Sequence, residues 1–167
     1  MVMGSSIQIP YGLKPVVIYD LDSTIANTKH RHHFIDKIMA GEGTWEEYSL
    51  MCEQDTIFPG VLRLAQVTSQ MFQNFILTAR MAVARPQTET WLRTVQFPYS
   101  LLKMCEDDHD DHVGWKRKAV AEWRANGFEP ILAVEDSPEV MDAFEADGIR
   151  CLAVNPRYHD DKPEGFF

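Results

Sequence analysis

Two carboxylates directly follow one short apolar run: Val16-Val17-Ile18-Tyr19 leads into Asp20-Leu21-Asp22-Ser23-Thr24. Alternation along a strand end aims Asp20 and Asp22 to the same side, where like charges repel unless a cation or a shared proton relieves them. Two further apolar runs end in comparable chemistry. Asn74-Phe75-Ile76-Leu77 is followed by Thr78-Ala79-Arg80, a hydroxyl and a guanidinium, and Ile131-Leu132-Ala133-Val134 by Glu135-Asp136, a second acid pair. Lys116 stands in the first turn of the helical pattern before that last run. Oxygen donors of this kind suit Mg²⁺, which is held by a few carboxylates together with substrate phosphate. Lys and Thr neutralise phosphoryl oxygens, and the planar fork of Arg engages two of them at once.

These groups act together only if a scaffold gathers the three run ends. Five apolar runs bounded by breakers predict five buried strands: the three above, Ser100–Met104 and Cys151–Val154. Helical patterns lie between them. One runs from Pro59 to about Phe72, with Val61, Leu64, Ala65 and Thr68 on one face. Another, from about Val83 to Val95, groups Thr88, Trp91, Leu92 and Val95. A third, Trp115 to Asn126, groups Lys116, Ala119, Val120 and Trp123 and stops at Gly127; Lys118 competes with Lys116 but lies off that face. Ser137 caps a fourth that starts at Pro138 and ends at Gly148. The alternation predicts an α/β, doubly wound parallel sheet with helices on both faces, whose ligands sit beyond the carboxyl ends of the strands. Residues 25–58 interrupt it as a small helical, cap-like insert, with helices near Thr28–Met39 and Thr44–Cys52 and a Thr44/Glu47 capping box.

At 167 residues the chain is close to one domain, expected over 15–167 behind a loose leader at 1–14. The net charge of −9 argues against a general nucleic-acid-binding surface, while leaving room for a local basic pocket that grips one phosphate. Cys52, Cys105 and Cys151 have no CxxC spacing, which fits a reducing compartment. No apolar run reaches the ~20 residues a membrane span needs, and Met1 to Pro15 lacks the apolar core of a signal peptide. The expectation is a cytoplasmic protein with no membrane partner.

In chain order, Asp20-Leu21-Asp22-Ser23-Thr24, Thr78, Lys116 and Glu135-Asp136 resemble the four motifs of the haloacid-dehalogenase-superfamily phosphatases. From about Val16 to His159 the chain also resembles, more narrowly, the 3′-phosphatase domain of bacteriophage polynucleotide kinases and their stand-alone phage relatives. That likeness rests on Ala26-Asn27-Thr28-Lys29-His30-Arg31-His32-His33-Phe34, on Thr78-Ala79-Arg80 with Arg85, Thr88, Trp91 and Leu92, on Glu135 to Val140, and on Gly148 to Leu152. No GxxxxGK[ST] phosphate loop of a kinase half is present. Four positions depart from the pattern. Ser23 stands where Gly is usual, Met104-Cys105 where Met-Arg is common, Glu135 where the acidic pair usually begins with Asp, and His112 where an Asp often precedes the Lys by four.

The resemblance implies a Mg²⁺-dependent phosphomonoester hydrolase working through an aspartyl-phosphate. It would remove a 3′-phosphate from a nucleic-acid end or nucleotide, in the host cytoplasm if the gene is a phage's. Asp20 would be the nucleophile and Asp22 the general acid and base. Thr78 and Lys116 would hold the transferring phosphoryl group. Mg²⁺ would lie among Asp20, the Asp22 backbone carbonyl and Asp136, with Glu135 nearby. Arg31 and Arg80 would engage the substrate phosphate. Arg85 is a further candidate, with a plain helix-surface role as the simpler account. His30, His32 and His33 are adjacent residues on one short stretch, a poor arrangement for tetrahedral zinc, and read as solvated or substrate-edge groups. Residues 106–111 read as a solvated acidic loop. Trp115 reads as core packing rather than a base-stacking platform. Two rival functions stay open: a small-molecule phosphatase such as a 5′(3′)-nucleotidase, favoured by the acidic charge, and a non-enzymatic receiver-type phospho-acceptor. Against the receiver, the paired acids follow the first strand here and the Lys precedes the fourth.

Overall fold

Val16, Val17, Ile18 and Tyr19 are fully buried because their strand, β1 (Lys14–Tyr19), is covered on both faces. The structure is a computed structural model and describes residues 12–106 and 111–154. Most of the expected leader therefore lies outside the described residues, and its last residue, Lys14, already belongs to β1. Around β1 stand β4 (Gln73–Met81), β5 (Leu101–Cys105), β6 (Phe128–Glu135) and β7 (Arg150–Ala153), in the order β5-β4-β1-β6-β7. Every pairing is parallel. A receiver module has the flavodoxin-like order, with the second core strand at the edge; here the third, β5, is there.

Side chains alternate along β1 to serve two helical layers. Val17 and Tyr19 join Ile76 and Val134 against α3 (Pro59–Thr68) and α4 (Arg85–Thr94), through Val61, Ala65, Trp91 and Leu92. Val16 and Ile18 join Phe75, Leu77 and Ala133 against α5 (His112–Ala125) and α6 (Pro138–Ala146), through Ala119, Val120, Trp123, Val140 and Phe144. Each fully buried apolar side chain of this size contributes about 1.5–3 kcal/mol relative to exposure.

The elements differ from the expectation where the apolar pattern is silent. A bulge sets Val16–Val17 opposite Pro130 and Leu132, which lets β6 start at Phe128 and run through a proline in an inner strand. β4 continues to Met81, so Thr78, Ala79 and Arg80 belong to the strand. β7 is an edge strand with Leu152 at 42% exposure, not a buried one. α5 begins at His112 because the Asp111 carboxylate accepts from Gly114 N at 2.7 Å. Ser137 occupies the cap position of α6, but its hydroxyl donates to Glu139 instead of accepting from the backbone.

The insert is closed at its base by a short antiparallel pair, β2 (Ala26–Asn27) with β3 (Thr56–Ile57). Two residues per strand are too few to leave a pattern. Between them lie a 3₁₀ turn at Lys29–Arg31, α1 (His33–Met39), α2 (Trp45–Leu50) and a second 3₁₀ turn at Met51–Gln54. The Thr44/Glu47 capping box forms. The insert's principal contacts run to β4, the 82–84 turn and α4. Among the described residues no helix is long and apolar enough to cross a membrane, and Cys52, Cys105 and Cys151 form no disulfide.

Asn74 ties α3 to the start of β4. Its Nδ2 donates to Ala65 O at 2.8 Å and Pro98 O at 3.1 Å, and its Oδ1 accepts from the Thr68 hydroxyl at 2.9 Å. Asn74→Leu keeps the volume but strands buried acceptors, so stability falls by about 1–3 kcal/mol. Urea unfolding should show a lower midpoint with an unchanged slope.

Candidate active site

From β1 the chain winds outward to β4 and β5, then crosses back to β6 and β7, so neighbours β1 and β6 mark the switch point where a crevice opens beyond the carboxyl ends. Asp20 is the first residue past β1, Glu135 the last of β6, and Asp136 follows it. Their carboxylates are buried, and one oxygen from each lies within 4.8 Å of the others. Lys116 reaches into this group from the second turn of α5, because the helix starts three residues earlier than the sequence pattern placed it, donating to Asp20 Oδ1 at 2.7 Å and Glu135 Oε2 at 2.8 Å. Lys118 is exposed on the same helix.

Burial pushes the Asp20 pKa up to about 7, against the pull of Lys116, and Glu135 adds to the rise. Burial likewise raises Glu135, against Lys116. For Lys116 burial works toward the neutral form, but Asp20 and Glu135 outweigh it and hold the ammonium charged, its pKa well above the usual value. Glu135 is fixed by Asp136 N at 3.1 Å and Ser137 N at 3.3 Å. The fully buried Thr24 donates to Asp136 Oδ1 at 3.1 Å.

Asp22 lies within a tight turn in which Leu21 O accepts from both Ile25 N and Ala26 N, and Ser23 takes a left-handed φ of 65°. That φ gives a physical reason for the glycine usual at this position. The Asp22 carboxylate takes partners of its own, Arg31 and Arg80, and none of its hydrogen bonds goes to Lys116. Oδ1 accepts from Nη2 of both Arg31 and Arg80, and Oδ2 from Arg80 Nε at 3.2 Å. Burial alone would raise its pKa; the two guanidinium groups win and hold it far below the usual carboxylate range. Arg31, fully buried in the insert, spends its other donors on Asp55 and Tyr48 O, with its plane 4.2 Å from the Tyr48 ring centroid. Arg80 Nη2 also donates to Asp55 Oδ2 at 2.7 Å and Nη1 to the Thr88 hydroxyl at 3.1 Å.

The residues singled out in the sequence thus fall into two adjoining clusters. Asp20, Lys116, Glu135 and Asp136 form one; Asp22, Arg31 and Arg80 form the other, joined by Asp55. Thr78 is buried in the last half of β4, three residues before its carboxyl end, its Oγ1 accepting from Arg80 N at 3.0 Å. Arg85 is not part of either. It pairs with Glu89 and lines a cavity of about 450 Å³ beside β5, together with Trp115, Lys118 and Glu122. The three histidines have separate partners: His30 on Asp55, 25 residues away, His32 on Thr28 and His33 on the His30 carbonyl. Residues 107–110 of the acidic run lie outside the described residues. Thr24 and Asp55 were not singled out in the sequence. Thr24 sits inside the first motif, whereas Asp55 has no motif around it.

The donor set fits Mg²⁺. Among the described residues, Asp20, Glu135 and Asp136 are the only grouped metal-ligand candidates, and all offer hard oxygens. Across both clusters five carboxylates face three cations, a local excess of negative charge that a divalent cation relieves.

No family model matches this chain, and no curated protein matches its sequence. Solved structures do share its fold. A chain of the Pnkp1/Rnl/Hen1 RNA repair complex superposes with a TM-score of 0.72 at 21% identity, over 88% of this chain and 44% of that one. This chain therefore spans less than half the length of that relative. The class C acid phosphatase from Bacillus anthracis gives 0.60 at 16% identity, over 86% and 67% of the two chains. A haloacid dehalogenase-like family hydrolase from Streptococcus pneumoniae gives 0.58 at 14% identity, over 84% of each. The chain has the α/β fold of the haloacid-dehalogenase-like hydrolases.

The charge balance makes a prediction for the metal-free protein. Asp20's pKa is raised in the folded state, from ~3.9 in the unfolded chain to about 7. Its contribution is full below pH ~4 and is lost as pH rises to 7. In EDTA, stability should fall across that window by on the order of 1 kcal/mol per pH unit. Asp20→Asn should remove Asp20's share of the fall and leave that of Glu135, measured by urea unfolding at pH 5 and pH 8. Asp22, held low, affects only more acidic solutions, where its loss of charge destabilises the fold.

Proposed function

We propose that this chain is a Mg²⁺-dependent phosphomonoesterase acting through an aspartyl-phosphate on Asp20. The observation that carries the reading is the buried Lys116 bridging Asp20 and Glu135 beside Asp136, at the switch point of the sheet. Asp20, Asp136, Glu135 and the Asp22 backbone carbonyl would hold the metal, whose charge keeps Asp20 ionised and offsets that of the phosphate.

First, an Asp20 carboxylate oxygen attacks phosphorus, the ester P–O bond breaks, and Asp22 gives its proton to the leaving oxygen. Water then attacks the phosphorus of the aspartyl-phosphate. Asp22 takes the water's proton, and inorganic phosphate leaves as Asp20 is regenerated. Asp22 is ionised in the free protein, so it must gain a proton before the first step. A phosphate dianion beside it raises its proton affinity by like-charge repulsion and competes for the guanidinium donors. Lys116 and Thr78 neutralise the transferring phosphoryl oxygens. Arg31 and Arg80 bear on the phosphate from the Asp22 side, and the scheme assigns nothing to Arg85.

The substrate is a phosphate, by preference a 3′-phosphate, on a nucleic-acid end or nucleotide. The motif resemblance and the fold shared with an RNA repair complex support this. So does an insert whose principal contacts stay on the β4 and α4 side, not across β6. One observation favours a nucleotidase instead: the net charge of −9, which disfavours a polyanion.

The test is phosphate release from 3′-phosphate oligonucleotides, 5′-phosphate oligonucleotides and mononucleotides at low salt. The oligonucleotide 3′-phosphate should be hydrolysed fastest; equal or faster release from mononucleotides selects the nucleotidase. EDTA should abolish turnover and Mg²⁺ restore it. Asp20→Asn should be folded and inactive. Release from none of the substrates, or an active Asp20→Asn, overturns the proposal.

A further inference from the structure

We infer that Asp55 is a positioning residue, whose buried carboxylate fixes the guanidinium groups of Arg31 and Arg80 so that both converge on Asp22. This rests on the phosphatase reading for its consequence, but not for its geometry.

Two guanidinium groups that share one oxygen, Asp22 Oδ1, repel each other, and a single carboxylate is too little charge to hold both. Asp55 supplies the second. Its Oδ1 accepts from Arg31 Nε at 2.9 Å and its Oδ2 from Arg31 Nη2 at 2.9 Å, the two-point geometry that fixes a guanidinium plane. The same Oδ2 accepts from Arg80 Nη2 at 2.7 Å. Tyr48 O holds the third side of Arg31 and Thr88 the far side of Arg80. The directions left over face Asp22. The Asp55 side chain has no exposure, whereas that of Asp22 is 26% exposed, so Asp55 acts through the arginines and does not touch substrate.

The anchor is itself anchored. Asp55 N donates to Cys52 O at 3.1 Å, and Trp91 Nε1 donates to Asp55 O at 2.6 Å. His30, 31% exposed, bonds Asp55 Oδ1 at 2.8 Å. Asp55 thus joins the end of the insert, α4 and β4 at one point. An aspartate serving only to hold the insert would need one of these partners; two guanidinium groups aimed together at a second carboxylate are the mark of positioning.

The test uses the full chain with Mg²⁺ and a small phosphomonoester, with folding checked by circular dichroism. Asp55→Asn keeps the shape and removes the charge. Its kcat should fall about 10–100-fold, the usual loss when a partner of a site residue is removed, with KM within about threefold. Combined with Arg80→Ala, the loss should be well below the product of the two single losses, because both act on one arrangement. If Asp55→Asn does not fold, Asp55→Glu keeps the charge, displaces the fork by one methylene and is read in the same way. A folded variant with wild-type kcat, or fully multiplicative losses, overturns the inference. A second readout does not depend on turnover. The Nε–H signals of Arg31 and Arg80 should be protected from exchange in wild type and lose protection together in the Asp55 variant. If wild type releases no phosphate, the phosphatase reading falls, and this signature still decides: protection kept in the variant overturns the role of Asp55.

Discussion

Like charges crowded out of water must be paired, and most of the crevice follows from that constraint. Asp20, Glu135 and Asp136 cannot approach as they do without Lys116, and Arg31 and Arg80 cannot converge without Asp22 and Asp55. A buried ion pair adds little stability beyond what apolar packing would give, yet losing one partner is costly. The two clusters are therefore better understood as devices for geometry. Their stability comes from the apolar layers beneath, where the alternation of β1 seats one helical pair on each face.

The clusters divide the molecule's labour. The first is built wholly from strand ends and α5, all parts of the core. The second is shared: Asp22 and Arg80 come from the core, Arg31 and Asp55 from the insert. Charge therefore couples the insert to the catalytic edge, beside the apolar contacts that Ile25, Ala26, Ile57 and Phe58 make with the core. Buried polar networks of this kind specify a unique arrangement when every member is satisfied, and here both arginine forks are filled.

Much of this was legible in the sequence. The acids at 20, 22, 135 and 136 stood out because each pair follows a run of apolar residues that can only be an inner strand. Lys116 was separable from Lys118 because helical spacing puts it on the face of Ala119, Val120 and Trp123. What stayed hidden lacks a periodic signature. Asp55 meets Arg31 and Arg80 across 24 and 25 residues of chain, and no local spacing encodes such a meeting. β2 and β3 are too short for a pattern, and the exposure of β7 follows from strand order, which a list of strands does not contain. The left-handed turn at Ser23 was masked by a residue that seldom adopts it.

The central position of β1 sets the order in which the site can come into being. Both of its partners arrive later in the chain, and the hydrogen bond from Thr24 to Asp136 spans 112 residues. At ~5–20 residues per second of synthesis, that gap is roughly 6–22 s. For most of it the nascent chain carries Asp20 with no Lys116 to neutralise it and β1 with no β6 at its flank. A ribosome-bound fragment thus presents an apolar strand with two unpaired edges until β4 is made, and one until β6 is made, next to a pair of solvated acids. Those acids keep that strand wet at one end, a gatekeeper against aggregation before they are anything else.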